Sequence, residues 1–511
     1  MRRKIEDVRE YFVNPKEPES AQDLAQLGAQ AIETMAEIYA KRGNLTTKSE
    51  SDSDLEEVVR ELLAREATTR IFDDRFMGQI HPQGNKVGIL ANLIAAYMNT
   101  NTIVKEVSSA EHQMETEATR WLMEMFGYDP ETGSGNITVD GTTANIAALW
   151  AARESALKRR RQLGLGYPQH KFLILTNEMG HYSIQKAAKL MGMGVISLPR
   201  DHFKTDINAT EELLARMGKD VVTSRVAAIV ALAGETETGL VDDLEGLADI
   251  AQHYGIHLHA DAAYGGPFIL SRNGHLFTGI DQADSITIDP HKMLYTPYEA
   301  GAVLFRDRRV HALIENHARY LDHSGSGLLG DPERRNFGLS ARLEGSLGSG
   351  GVMATWATMR LLGYEGIATI LDHTLELVNH AYLLSSHSDV LEPLHKPEIN
   401  TLLIGLRGEI KMDDLNQTGQ QKVRQLNATK PAFSRQPESE PHCARNLLVE
   451  LVQAELDAEG YYVSYNGEVD QGKAAFRVVP THPYTECSDV EEVIYRLDHK
   501  VSQYLNRNHH E

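Results

Sequence analysis

A largely parallel α/β domain is the fold class that the middle of this 511-residue sequence predicts. Short apolar or β-branched runs recur at residues 172–175, 195–198, 226–232, 256–259, 285–288 and 302–305. Stretches with helical periodicity, such as 182–191 and 244–254, separate them, and that alternation implies βαβ units. Residues able to carry chemistry collect just after the runs, where an open α/β sheet has its ligand crevice.

The elements on either side read differently. Leu24, Leu27, Ile32, Met35, Ile38 and Tyr39 stand at helical spacing, as do Leu55, Val58, Val59, Leu62 and Leu63. Between them 42–54 is polar and Ser-rich, a loop, and 76–82 is a turn-rich exit. Residues 1–110 are therefore expected to form an N-terminal helical segment ahead of the large domain, 111–365. Helical stretches at 352–362 and 367–384 lead into a smaller C-terminal α+β domain, 366–511. Within it the Gln/Asn/Lys-rich stretch 413–441 reads as a surface insertion. There is no internal repeat.

Composition argues against several function classes. Lys and Arg number 51 against 72 Asp and Glu, a net charge of −21 that repels phosphate backbones and anionic lipid surfaces. No nucleic-acid or membrane partner is expected; the run Lys158-Arg159-Arg160-Arg161 closes a helix, where cations complement the dipole. Cys443 and Cys487 have neither metal-site nor disulfide spacing, which fits a reducing, cytoplasmic compartment. Ile5-Glu6-Asp7 follows the basic start where an export signal would be apolar. The longest apolar stretch, 226–233, is far short of the roughly 20 residues that cross a bilayer.

Four segments at strand ends invite a joint reading. Gly141-Thr142-Thr143 opens a helix, where amides and hydroxyls can cradle a phosphate or a Thr can simply cap the helix. His181 can stack on a flat ligand or bond its own loop. Asp261, after the run at 256–259, can hold a proton on a heterocyclic nitrogen or cap the next turn. Lys292, after Asp289-Pro290-His291, can form a Schiff base if its pKa is depressed, although lone lysines are nearly always solvated. Anion cradle, ring stack, carboxylate and amine at one sheet edge are together what pyridoxal phosphate requires. A competing reading takes His257, His259 and Asp261, alternating along one strand, as ligands of a hydrolytic metal. It leaves Lys292 and Thr142 without a role, so no metal is expected.

The segment 284–293 with Tyr298 to Gly301, and Asp140 to Asn145 with Leu149-Trp150, resemble the group II pyridoxal-phosphate-dependent amino-acid decarboxylases of fold type I, the aspartate-aminotransferase-like class. The motifs look most like those of bacterial tyrosine decarboxylases. The resemblance implies a seven-stranded, mostly parallel sheet and a homodimer whose subunits both build each site. It implies that Lys292 carries the cofactor, Asp261 pairs the ring nitrogen, His181 stacks on the ring and Thr236 packs near the phenolic edge. Gly141, Thr142, Thr143 and His291 match the phosphate-side contacts, and Tyr320 aligns with a loop tyrosine that returns a proton to Cα. Gln79, His81 and His112 offer polar groups to a phenol, a catechol or a short acid. The function so implied is decarboxylation of an L-amino acid, aromatic first. Acidic substrates (glutamate, aspartate, cysteine sulfinate), a carbon–carbon lyase or an aldehyde synthase are the alternatives within the fold.

Overall fold

The computed structural model describes residues 3–14, 16–17, 19–40, 65, 73–103, 107–316, 341–431, 434, 436, 442–470 and 472–506. Its central sheet has seven strands: β1 (Ser134–Thr138), β2 (Leu173–Asn177), β3 (Gly194–Leu198), β4 (Val226–Leu232), β5 (His257–Asp261), β6 (Ser285–Ile288) and β7 (Gly301–Phe305). They lie in the order β1-β7-β6-β5-β4-β2-β3, parallel from β3 to β6, with β7 antiparallel to both its neighbours. Strand β1 therefore ends at the same edge as β2, β4, β5 and β6.

Strand β4 is apolar throughout and buried at every position, the pattern of a strand covered on both faces. The run expected at 256–259 is the strand His257–Asp261, so Asp261 is the last strand residue rather than a loop residue. The sequence reading assigns no strand to β1, because Ser-Gly-Asn-Ile-Thr contains no apolar run. Every one of its residues is nevertheless buried, since its ladder with β7 satisfies the backbone.

A second sheet, β8 (Leu391–Pro393), β9 (Leu402–Leu406), β10 (Ser464–Asp470) and β11 (Lys473–Val478), runs antiparallel in the order β8-β9-β11-β10. It shares a core with the helices Cys443–Ala458 and Cys487–Tyr504 through residues such as Ile404, Leu406, Leu448 and Leu497. The stretch expected to be a surface insertion contains the helix Gln417–Thr429, which docks on that core. Its polar composition hides a narrow apolar face: Val423 is fully buried, and Lys422 reaches Glu455 at 2.7 Å.

The two helical stretches expected after residue 350 are two helices joined into a kinked rod, Gly350–Ser386, the kink falling where Gly363 takes φ 59, ψ 179. The rod packs on the helices Lys86–Met98 and Ser109–Met125, and Leu377, Val378 and Ala381 in its last part belong to the C-terminal core. In the N-terminal segment the helix Glu19–Ala40 packs on Lys86–Met98, whereas Leu55 to Leu63 lie outside the described residues. No helix among the described residues is long and apolar enough to cross a membrane.

Candidate active site

The loops that leave β1, β2, β4, β5 and β6 at one edge of the sheet surround a cavity of about 190 Å³. Gly141, Thr142, His181, Thr236, Asp261, His291 and Lys292 all line it. These residues lie up to 151 positions apart in the chain (292 − 141), and the parallel sheet is what brings them together.

After β1, Asp140 caps the helix Gly141–Gln162, accepting from the amide and the hydroxyl of Thr143, each at 2.8 Å. The cap is thus Asp140 and not a threonine, and the Thr143 hydroxyl turns to it rather than to the cavity. Gly141 and Thr142 lie in the first turn, where amides have no partner within the helix and an anion is favoured. A side chain at 141 would meet Asp289, its Cβ only 2.7 Å from Oδ2, so the close approach requires glycine.

After β2, His181 opens the helix Tyr182–Met191 and its Nδ1 accepts from the Ser183 amide at 3.3 Å. Burial, opposed by Asp261, draws its pKa below the ordinary histidine value, so the ring is neutral at pH 7. At the end of β5, Asp261 Oδ2 accepts from Asn145 Nδ2 at 2.9 Å.

After β6, Lys292 Nζ stands 2.8 Å from Asp289 Oδ2. Burial opposes the ammonium, but Asp289 outweighs it and raises the lysine above its ordinary value. The neighbours therefore hold the amine charged, contrary to the depression that the sequence reading asks for. The Asp289 carboxyl is itself raised to about 6 by burial, which Lys292 only partly offsets, and its Oδ1 is buried without a partner. His291 stacks on Tyr298 at 3.9 Å between centroids and accepts from the Ala300 amide at 3.1 Å. Burial, then Lys292, push its pKa down to about 3.

Of the proposed substrate-side residues, His81 meets the Tyr298 ring edge-on at 5.2 Å. None of the three, Gln79, His81 and His112, lines the cavity; His112 Nδ1 bonds the carbonyl of Ser108 at 2.9 Å at the start of its own helix. Tyr320 lies outside the described residues. The sequence reading missed Asp289, whose place three residues before Lys292 was a usable signal, and Asn145, which stands in a quoted motif without a role. It also missed Arg477, a buried guanidinium of β11 that donates to the Thr236 carbonyl at 2.9 Å and ties the C-terminal sheet to the cavity wall.

His257 and His259 are engaged otherwise than as metal ligands: both bond Ser285 Oγ, at 2.8 and 2.9 Å. Among the described residues no group of three or more His, Cys, Asp or Glu side chains is arranged to hold a metal ion. The residues around the cavity do fit a phosphorylated pyridine aldehyde. A helix N-terminus could hold its phosphate, a carboxylate at a strand end could pair its ring nitrogen, and a lysine beside a partly unpaired carboxyl could bond its aldehyde carbon.

Comparison with known proteins agrees. The family model described as "Pyridoxal-dependent decarboxylase conserved domain" matches residues 38–398. An aspartate 1-decarboxylase of Aliivibrio fischeri is 33% identical over 328 residues, 59% of this chain and 58% of that protein. The chain thus matches less than two thirds of that relative's length. An aromatic-L-amino-acid decarboxylase of Bacillus atrophaeus is 27% identical over 70% of this chain and 76% of its own. The crystal structure of Oryza sativa TDC with PLP and tryptamine superposes with a TM-score of 0.75, covering 96% of this chain and all of that one (100%), at 18% identity.

Proposed function

Because the chain belongs to the pyridoxal-dependent decarboxylase family, we propose that it removes the α-carboxylate of an L-amino acid as carbon dioxide and releases the amine, with aromatic amino acids as its substrates. The observation that carries this reading is the convergence of Lys292, Asp261 and His181 on one cavity at a helix N-terminus. The cofactor is pyridoxal 5′-phosphate, which when bound supplies a conjugated ring able to accept the electron pair of the breaking bond.

The chain's own residues do the rest. The Lys292 amine must lose its proton before it can bond the aldehyde carbon, and Asp289 at 2.8 Å is the acceptor beside it. Asp261, held by Asn145, keeps a proton on the ring nitrogen. The neutral His181 ring would cover the flat face of the bound cofactor, and Gly141 and Thr142 would hold its phosphate. Tyr320 is the proposed proton donor to Cα; Tyr320→Phe should lower amine output and release aldehyde and peroxide, measured together. Amine output unchanged, with no aldehyde, removes it from that role.

Aromatic choice is supported by the rings of Tyr298 and His291, which line the cavity and stack on each other, with His81 edge-on to Tyr298 behind them. Lys292 is the only Lys or Arg among the described residues that line it, so an acidic side chain finds no second cation there. An aspartate-like substrate is the second reading; the Aliivibrio relative and the nearby Arg477 favour it. Tyr182 and Tyr298, which line the same cavity, are 63% and 51% exposed, which supports a homodimer whose partner covers them. The proposed setting is the cytoplasm. The test is a panel of tyrosine, phenylalanine, tryptophan, aspartate, glutamate, cysteine sulfinate and 2,4-diaminobutyrate, with carbon dioxide and amine measured. Aromatic substrates should lead in kcat/KM by about tenfold or more. Fastest turnover of aspartate overturns the aromatic choice; no carbon dioxide from any of them overturns the decarboxylase reading.

A further inference from the structure

His257, His259 and Asp261 share one face of β5, and a continuous set of hydrogen bonds joins them through two neighbouring elements. His257 Nε2 lies 2.8 Å from Ser285 Oγ, which lies 2.9 Å from His259 Nδ1. His259 Nε2 lies 2.8 Å from Asn145 Oδ1, and Asn145 Nδ2 reaches Asp261 Oδ2 at 2.9 Å. The same Nδ2 reaches Ser183 Oγ at 2.9 Å, and that oxygen stands 2.8 Å from His181 Nδ1.

The proton positions follow from one end. A carboxylate only accepts, so the Asn145 amide must donate to Asp261 and its Oδ1 must accept. His259 then carries its proton on Nε2 and accepts at Nδ1 from Ser285, whose oxygen accepts in turn from His257 Nε2. On the branch, Ser183 accepts from Asn145 and donates to His181, which leaves the His181 proton on Nε2. Every bond donates towards the cavity. The far end, His257, lines a separate cleft of about 640 Å³ at the opposite edge of the sheet, together with Asp284, Arg159 and Arg306.

Resting on Asp261 as the partner of the ring nitrogen, we infer that Asn145, His259, Ser285 and His257 are positioning residues: a one-way hydrogen-bond relay from the distal cleft that holds the Asp261 carboxylate in place and fixes the His181 tautomer. Burial favours the neutral imidazoles that the relay requires, drawing His257 below its ordinary value and His259 down to about 4. The charges facing His257 are Asp284, Arg159 and Arg306; those facing His259 are Asp261 and His257. Lys292, Asp140 and Lys186 join Asp261 around His181, and Asp289 and Lys292 stand beside Asp261.

The test uses the holoenzyme and two readings besides turnover: the pH midpoint of the cofactor's visible band, and the rate at which the cofactor is lost on dilution. A ring that loses positive charge at its nitrogen binds the proton at its Lys292 linkage more tightly, so breaking the relay raises the midpoint. Ser285→Ala and His257→Phe should raise it by about half a unit or more and speed cofactor loss about fivefold, while Ser285→Thr, which keeps the hydroxyl, should match the wild type. Wild-type values in both broken variants, beside a shifted band in Asp261→Asn, overturn the relay, whatever their melting temperatures. Asp261→Asn separates the two claims: if it too leaves the band unmoved, the ring-nitrogen assignment fails rather than the relay. Should the variants not fold, nitrogen-15 spectra of histidine-labelled wild-type protein decide: protons on Nε2 of His257 and His259 are required, and a proton on His259 Nδ1 overturns the inference.

Discussion

The carboxyl edge of the central sheet holds a cavity of about 190 Å³ and the amino edge a cleft of about 640 Å³, yet it is to the smaller one that the proposed chemistry belongs. At the amino edge two of the cations, Arg159 and Arg306, are committed to the fold. Arg159 donates to the carbonyls of Thr223, Gly255 and Val226, at 2.8, 2.8 and 2.6 Å, and Arg306 pairs with Asp284 at 2.9 Å. At the carboxyl edge Asp289 keeps a buried oxygen without a partner beside a charged lysine. Volume therefore does not mark the proposed reactive edge, and neither does a lone unpartnered atom, since Ser155 Oγ at the amino edge is buried without a partner too; what sets the carboxyl edge apart is a buried carboxyl beside a charged lysine.

The sharpest way to break that contrast is at Lys292. Lys292→Ala should abolish the visible cofactor band and cut carbon dioxide release by about ten-thousandfold or more, both read on purified protein. A variant that keeps most of its rate would move the chemistry elsewhere. Next comes Asp261→Asn, expected to retain cofactor while losing about a thousandfold in kcat/KM. A loss of less than about tenfold would remove Asp261 from the ring nitrogen.

A third expectation spans both edges. His259, within the sheet, and His311, stacked on Phe305 near the amino edge, are pushed by burial to about 4 and about 3. The unfolded chain takes up these protons near pH 6.5, so the native state binds fewer protons below that value. The stability they contribute is fully present above pH 6.5 and is lost as pH falls towards 4, about 3 kcal/mol for His259. Denaturant unfolding between about pH 4 and 8 reads it, and a flat profile below 6.5 contradicts it. The smallest effect belongs to the amino edge alone: Arg159→Met should cost about 2 kcal/mol of folding stability, because buried carbonyls lose their donor. Equal denaturation midpoints for mutant and wild type would show that the guanidinium is not committed as described.

What was legible in the sequence follows the same division. Strands β4 and β6 were legible as short runs dominated by apolar or β-branched residues, and the helix Leu244–Tyr254 as a periodic stretch. Strand β1 was not, because it is buried by position in the sheet rather than by composition. The helix Gln417–Thr429 was hidden because one large buried side chain, Val423, is too little to set a period. At the site, residues with distinctive chemistry announced themselves: Lys292, Asp261 and His181 converge where strand order alone would put them. Asn145 did not, because an amide on a helix carries no signal until its neighbours across the sheet are known.

Gly363 also acts as the joint of a lever. The rod Gly350–Ser386 continues for 23 residues beyond it (386 − 363), roughly 35 Å at helical rise. A change of about 10° at that joint would carry the far end about 6 Å, by arc length over that helical span. Its φ of 59 with ψ of 179 is a conformation that only glycine adopts freely, although a Cβ there would touch nothing within 4 Å. The direction in which the second helix leaves the first is therefore set by a torsion open to glycine alone. A chimera that takes its first part from one relative and its last part from another should be spliced away from this joint, so that the lever and both of its bearings descend from one parent.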